Sequence, residues 1–188
     1  MSRHASETLL SNKVSVTDYR GMEHNQDREG ISRFIKQRFT ERYIDPVRKS
    51  EAKHGFSIMA VSCLMIEALE SFKQGWRSTR RKSRESFRKF FTDNHHLAEF
   101  EPLADEFYDN VRCGILHQAE TTGGWKIRRR GPLFESTSKH INATEFLIRI
   151  ERYLDEYCEH LITEPWDSET WRNLRNKMDT ICFNCEIE

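Results

Sequence analysis

Tyr108-Asp109-Asn110-Val111-Arg112-Cys113-Gly114-Ile115-Leu116-His117 is the stretch on which the reading of this chain turns. It continues an apolar pattern. Phe100, Leu103, Phe107 and Val111 recur at steps of three or four, which marks one face of a helix. Arg112 and His117 interrupt that pattern. Five residues separate them, so on a helix they stand roughly 7.5 Å apart along the axis and about 140° apart around it. They flank one side and reach one cleft if another helix crosses between them.

The pair suits acid–base work on a phosphodiester. Histidine exchanges a proton near neutral pH. Arginine stays charged and offers a planar fork of donors to phosphate oxygens. His117 also falls near the expected helix end, where the dipole favours a protonated ring. The plainer reading is a surface Arg and a surface His with no shared task. Asn110 and Gln118 flank the pair and would position a phosphate. Gly114 lies mid-helix, where glycine costs about 1 kcal/mol relative to alanine. Close approach of another backbone would explain it, and a crossing at a dimer interface fits.

Outward from this helix, expected over about Leu97 to Ala119, Thr121-Thr122-Gly123-Gly124 breaks the pattern. Trp125-Lys126-Ile127-Arg128-Arg129 alternates apolar and basic residues, as a half-exposed strand does. Gly131-Pro132 would turn it back onto Leu133-Phe134 as a small hairpin. Lys126, Arg128 and Arg130 then share one side as candidate RNA contacts. Asn142 or Thr144 caps a further helix lined by Phe146, Leu147, Ile150, Tyr153, Leu154, Tyr157, Leu161 and Ile162. After Pro165, Trp171, Leu174, Met178 and Ile181 make a short last helix.

Upstream, residues 1 to about 28 are polar and read as a mobile leader, with residues 29–188 as the folded domain. A first helix spans about Glu29 to Tyr43 on Ile31, Phe34, Ile35 and Phe39, and Asp45-Pro46 ends or bends it. The most apolar helix, about Ala52 to Trp76, carries Ile58, Val61, Met65, Leu69, Phe72 and Trp76 in one stripe, with Met59, Cys63 and Ile66 beside it. Glu67 sits within this surface. A buried carboxylate needs a partner, and Arg112 is the natural one; the alternative is a half-exposed Glu at the stripe's edge. The basic run Arg77 to Lys89 leads into a helix bearing Phe87, Phe90 and Phe91. It is either a phosphate-contact surface or a solvated face.

Arg112-x4-His117 near a helix end resembles the R-x4-6-H motif of the HEPN superfamily. Two further stretches resemble its bacterial branch: Gly55-Phe56 through Cys63 to Phe72, and Gln118 to Trp125. The likeness covers roughly residues 31 to 185. Cys113 stands where active members commonly carry Asn. The resemblance implies an all-α up-and-down bundle with four main helices, accessory helices and the hairpin insertion. It implies a homodimer whose two Arg112/His117 pairs share one cleft, and metal-independent RNA cleavage through the ribose 2′-hydroxyl in a toxin or phage-defence role. No cofactor and no metal is implied. An antitoxin or another defence-system protein is the expected partner beside RNA. The alternatives are a non-catalytic HEPN module that binds RNA, nucleotide or a nucleotidyltransferase, and a structural dimerisation domain.

The 188 residues suffice for one sizeable core. Lys plus Arg and Asp plus Glu are 30 each, so nucleic-acid binding must come from local basic patches. Four prolines and eight glycines favour long elements. No apolar run is read as a membrane span and no signal peptide is evident, so the expectation is a cytoplasmic protein with reduced cysteines. Cys63 and Cys158 fit helical cores. Cys182-x2-Cys185 has zinc-like spacing, but no second pair matches it.

Overall fold

The computed structural model describes residues 7–48 and 54–186. The chain is mostly helical, with one small sheet. In order come α1 (Val16–His24), α2 (Arg28–Phe39), a π turn (Thr40–Ile44), α3 (Asp45–Arg48), α4 (Gly55–Lys73) and α5 (Ser83–Asp93). A 3-10 segment (His95–Leu103) leads into α6 (Ala104–Phe107), a second π turn (Tyr108–Arg112) and α7 (Cys113–Gln118). Then follow β1 (Lys126–Arg128), β2 (Phe134–Glu135), β3 (His140–Asn142), α8 (Ala143–Thr163) and α9 (Glu169–Glu186). The chain divides into two compact units. One takes Met1–Arg42, Ser71–Ser78 and Leu154–Glu188, the other Tyr43–Glu70 and Thr79–Tyr153.

In the first unit, part of the expected leader is ordered helix. Ser15 and Asp18 form a reciprocal capping box at the start of α1. Val16 and Tyr19 are buried, and the Tyr19 ring lies 5.9 Å from Phe34 of α2. A single buried tyrosine over nine residues is too little for a periodicity to register, which is why the segment reads as polar. Residues 1–6 lie outside the described residues. Ile31, Phe34, Ile35 and Phe39 are buried as their spacing predicts. The Ser32 hydroxyl donates to the Cys158 carbonyl at 2.7 Å, and Trp171 Nε1 donates to the Leu161 carbonyl at 3.0 Å. The last helix is longer than expected, and Cys182 rather than Ile181 completes its buried stripe. That places Cys182 in the core, on a helix.

The second unit is built around rings. Phe87 and Phe91 of α5, Phe100, Phe107 of α6, and Phe146 of α8 pack with centroid separations of 5.1–6.3 Å. Trp125 stacks on Phe134 at 5.4 Å. The anticipated hairpin is different. β1 does not pair with β2; it runs parallel to β3, and β2 runs antiparallel to β3, giving the order β1-β3-β2. Gly131 turns the chain at φ +90°, while Asn142 donates to the Gly131 carbonyl and, through its backbone, to that of Leu133. These bonds let β3 slot between the two earlier strands. Asn142 is also the cap of α8, its Oδ1 accepting from the backbone of Thr144 and Glu145.

α4 is the central apolar helix. By length and composition it could cross a membrane, with mean hydropathy 1.5, although the sequence reading finds no such run; 61% of its most apolar window is buried inside the protein. Glu67 and Glu70 are both buried within it.

Candidate functional site

Residues 104–118 form one helical rod with the π turn at its middle. Cys113 N–H reaches back five residues to the Tyr108 carbonyl there. Single π turns inside α-helices recur at functional sites. The turn presents Arg112 to α4. Arg112 Nε donates to Glu67 Oε1 at 2.9 Å, and its Nη2 lies 2.8 Å from the same oxygen. The Ser83 hydroxyl donates to the other oxygen of Glu67 at 2.7 Å. The partner anticipated for Glu67 is thus the partner it has. The side chains are 17% and 10% exposed, so the ion pair is mostly out of water. Burial works against the charged guanidinium, but the Glu67 charge and hydrogen bond more than offset it, and the Arg112 pKa is raised.

Tyr108, one turn before Arg112, carries the network outward. The Arg112 guanidinium carbon lies 5.5 Å from its ring centre and that of Arg84 lies 4.6 Å away. Burial and a hydrogen bond with Cys113 push the Tyr108 phenol up. Burial likewise pushes up the thiol of Cys63. Ser83, Arg84 and Tyr108 were not among the sequence candidates. Tyr108 could have been found from its i,i+4 spacing to Arg112; nothing in the sequence singles out Ser83.

His117 is exposed in the last turn of α7, and Gln118 is exposed beside it. Arg112 faces Glu67 while His117 faces solvent, so one chain does not by itself bring the two side chains together. Asn110 is engaged within the fold. Its Nδ2 donates to the Glu106 carbonyl at 2.9 Å, and its Oδ1 accepts from the Thr122 hydroxyl at 2.9 Å. Thr122 N–H also donates to the Asn110 carbonyl at 2.9 Å. The chain after Ala119, which is left-handed at φ +55°, folds back along the rod.

That fold-back explains Gly114. A Cβ there would sit 2.6 Å from the Glu120 carbonyl oxygen and 3.3 Å from Thr121 Cα. The close backbone expected at Gly114 is the chain's own, so the glycine no longer argues for a dimer crossing. Trp125 Nε1 donates to Glu106 at 3.2 Å and Lys139 pairs with the same carboxylate, which tacks the loop down. These donors hold the Glu106 carboxyl below its usual range, the Lys139 hydrogen bond foremost.

Two basic segments differ from expectation. Arg84 and Arg88 on α5 pair with Asp109 and Asp105, so this part of the run Arg77 to Lys89 is an internal ion-pair ladder. Lys126 is exposed, but Arg128 is turned back to Glu135 at 2.6 Å. β1 ends at Arg128, so the alternation that would align Lys126, Arg128 and Arg130 stops one residue short.

No protein-family model and no solved structure matches the chain. Over 76 residues it is 32% identical to glutamate–tRNA ligase 1 of Chelativorans sp. (strain BNC1), which covers 40% of this chain and 15% of that protein.

Proposed function

We propose that the protein is a HEPN-type ribonuclease that acts in the cytoplasm as a homodimer and cleaves RNA through its own 2′-hydroxyl, in a toxin or antiviral-defence setting. The carrying observation is the Arg112–Glu67–Ser83 network on a π-turned helix, with exposed His117 a turn and a half beyond it. Glu67 takes the Nε/Nη2 edge of Arg112 and orients the guanidinium. His117 takes the proton of the attacking 2′-hydroxyl or gives one to the departing 5′-oxygen. The 2′-oxygen bonds to phosphorus as the P–O5′ bond breaks, and Arg112 stabilises the charge that develops.

Leu64 and Leu116 support the dimer. They are 54% and 57% exposed, and each lies one helical turn from a member of the Glu67–Arg112 pair. Apolar groups bracketing a polar centre suit a self-complementary twofold face, which would also bring the partner's copy of His117 toward Arg112. A second reading is favoured by the burial of Arg112: a non-catalytic module that binds RNA or a nucleotidyltransferase. Mixed RNA incubated with protein and EDTA decides between them. Cleavage leaving 2′,3′-cyclic phosphate and 5′-hydroxyl ends, lost in His117→Ala by about 10²–10⁴-fold, is expected for the enzyme. Inert RNA, cleavage of a 2′-deoxy substrate, or strict dependence on magnesium would sink it.

A further inference from the structure

A second site lies in the same unit. A groove of about 860 Å³ runs between the start of α4 and the end of β1, lined by Phe56, Ile127, Arg128, Arg129, Arg130 and Thr144 over a floor at Gly55. Its floor is made by close packing. A Cβ on Gly55 would meet Ile127 Cγ2 at 3.1 Å and Arg129 Cγ at 3.5 Å, so a larger residue would lift the helix off the strand. Three consecutive arginines line it, and among the described lining residues there is no carboxylate. Two of the arginines are braced: Arg128 by Glu135, and Arg129 by a 3.4 Å hydrogen bond from Nε to the Thr144 hydroxyl. Arg130 is exposed. Into this basic wall projects an aromatic ring, Phe56, 37% exposed at the first turn of the most apolar helix.

We propose that this groove holds single-stranded RNA, with the arginines against successive phosphates and one base stacked on Phe56. Braced guanidiniums lose little freedom on meeting a phosphate. An exposed phenylalanine among arginines offers a flat apolar face to a splayed base, which a duplex keeps stacked inside. The inference rests on RNA being the protein's partner, and it gives the Arg112/His117 site a separate anchor for the strand.

The test measures binding of full-length protein to a 2′-O-methylated single-stranded oligomer, which has no 2′-hydroxyl to attack. Phe56→Ala and Phe56→Leu should each weaken binding by about tenfold, while Phe56→Tyr, which keeps the ring, should bind like the parent. Arg130→Ala should reduce the slope of log affinity against log salt by about 0.7, one phosphate contact on a single strand. Unchanged affinity in Phe56→Leu together with an unchanged slope in Arg130→Ala overturns the proposal, as does an equal tenfold loss on duplex RNA. If the parent cleaves RNA and the groove variants bind and cleave as it does, the groove fails and the nuclease reading stands. If the parent does not cleave but the variants lose affinity as stated, the nuclease reading fails and the groove stands. A parent that binds no single strand overturns both.

Discussion

Two arginines face the same tyrosine and live in different worlds. Arg84 and Arg112 both lie against the Tyr108 ring, and each has a carboxylate partner. Arg84 pairs with Asp109 at the surface, the side chains being 40% and 53% exposed; Arg112 pairs with Glu67 at 17% and 10%. Water around the first pair competes for both charges and screens them, so its contribution is small whatever its geometry. The second pair is largely desolvated. Removing one partner leaves the other charge stranded, and the cost follows from that stranded charge. The contrast separates a pair that decorates the surface from one on which local structure depends.

The sharpest break in the comparison is Glu67→Ala. It should lower the unfolding free energy by about 3 kcal/mol, read from urea denaturation, because it leaves Arg112 uncompensated. A loss below about 1 kcal/mol would place the two pairs in the same class. Next is Gly114→Ala. Alanine is the better helix former by about 1 kcal/mol, yet its Cβ meets the Glu120 carbonyl at 2.6 Å. Overpacking against backbone should win, for a net loss of about 1–2 kcal/mol and a lower Tm. A raised Tm would show that the fold-back yields easily. Thr122→Val removes the hydroxyl that donates to Asn110, and a loss of about 1 kcal/mol is expected.

Arg84→Ala should cost under about 1 kcal/mol and less in high salt. The smallest effect concerns Arg88, whose hydrogen bond holds the Asp105 carboxyl below its ordinary 3.8. A depressed carboxylate pKa stabilises the fold above the unfolded value and ceases to do so as pH falls through the folded one. The stability difference between parent and Arg88→Ala should therefore be full above about pH 5 and shrink on acidification below it. A difference constant from neutral to strongly acid pH would mean that Arg88 acts by packing alone.

The sequence carries periodic burial well and local departures from periodicity poorly. Phe87, Phe90 and Phe91, the stripe of α2 and most of the inner face of α8 are legible because each repeats at helical spacing; Ile162, at the end of α8, is 39% exposed and breaks the pattern. The Glu67–Arg112 pair is legible because an ionisable group inside an apolar stripe demands a counter-charge. The π turn is not, since one extra residue of winding leaves no compositional mark. The strand order is not, because Gly131-Pro132 advertises a hairpin, while the bonds from Asn142 that place β3 between β1 and β2 come from a residue beyond it. Glu70, fully buried on α4, passed unremarked for want of a partner visible at helical spacing. Arg129 and Phe56 were passed over because the groove joins segments far apart in the chain.

The π turn at Tyr108–Arg112 also sets a phase. Each residue of an α-helix advances the direction of the next by about 100°. Deleting one residue within 108–112 and letting the rod close as plain α-helix would swing α7 by that angle about its axis. Gly114 would leave the Glu120 carbonyl it now sits under, and His117 would point a quarter-turn away. In this rod a single-residue insertion or deletion is a rotation more than a change of length, so the spacing of the two site residues along the chain and their direction in space can be tuned separately.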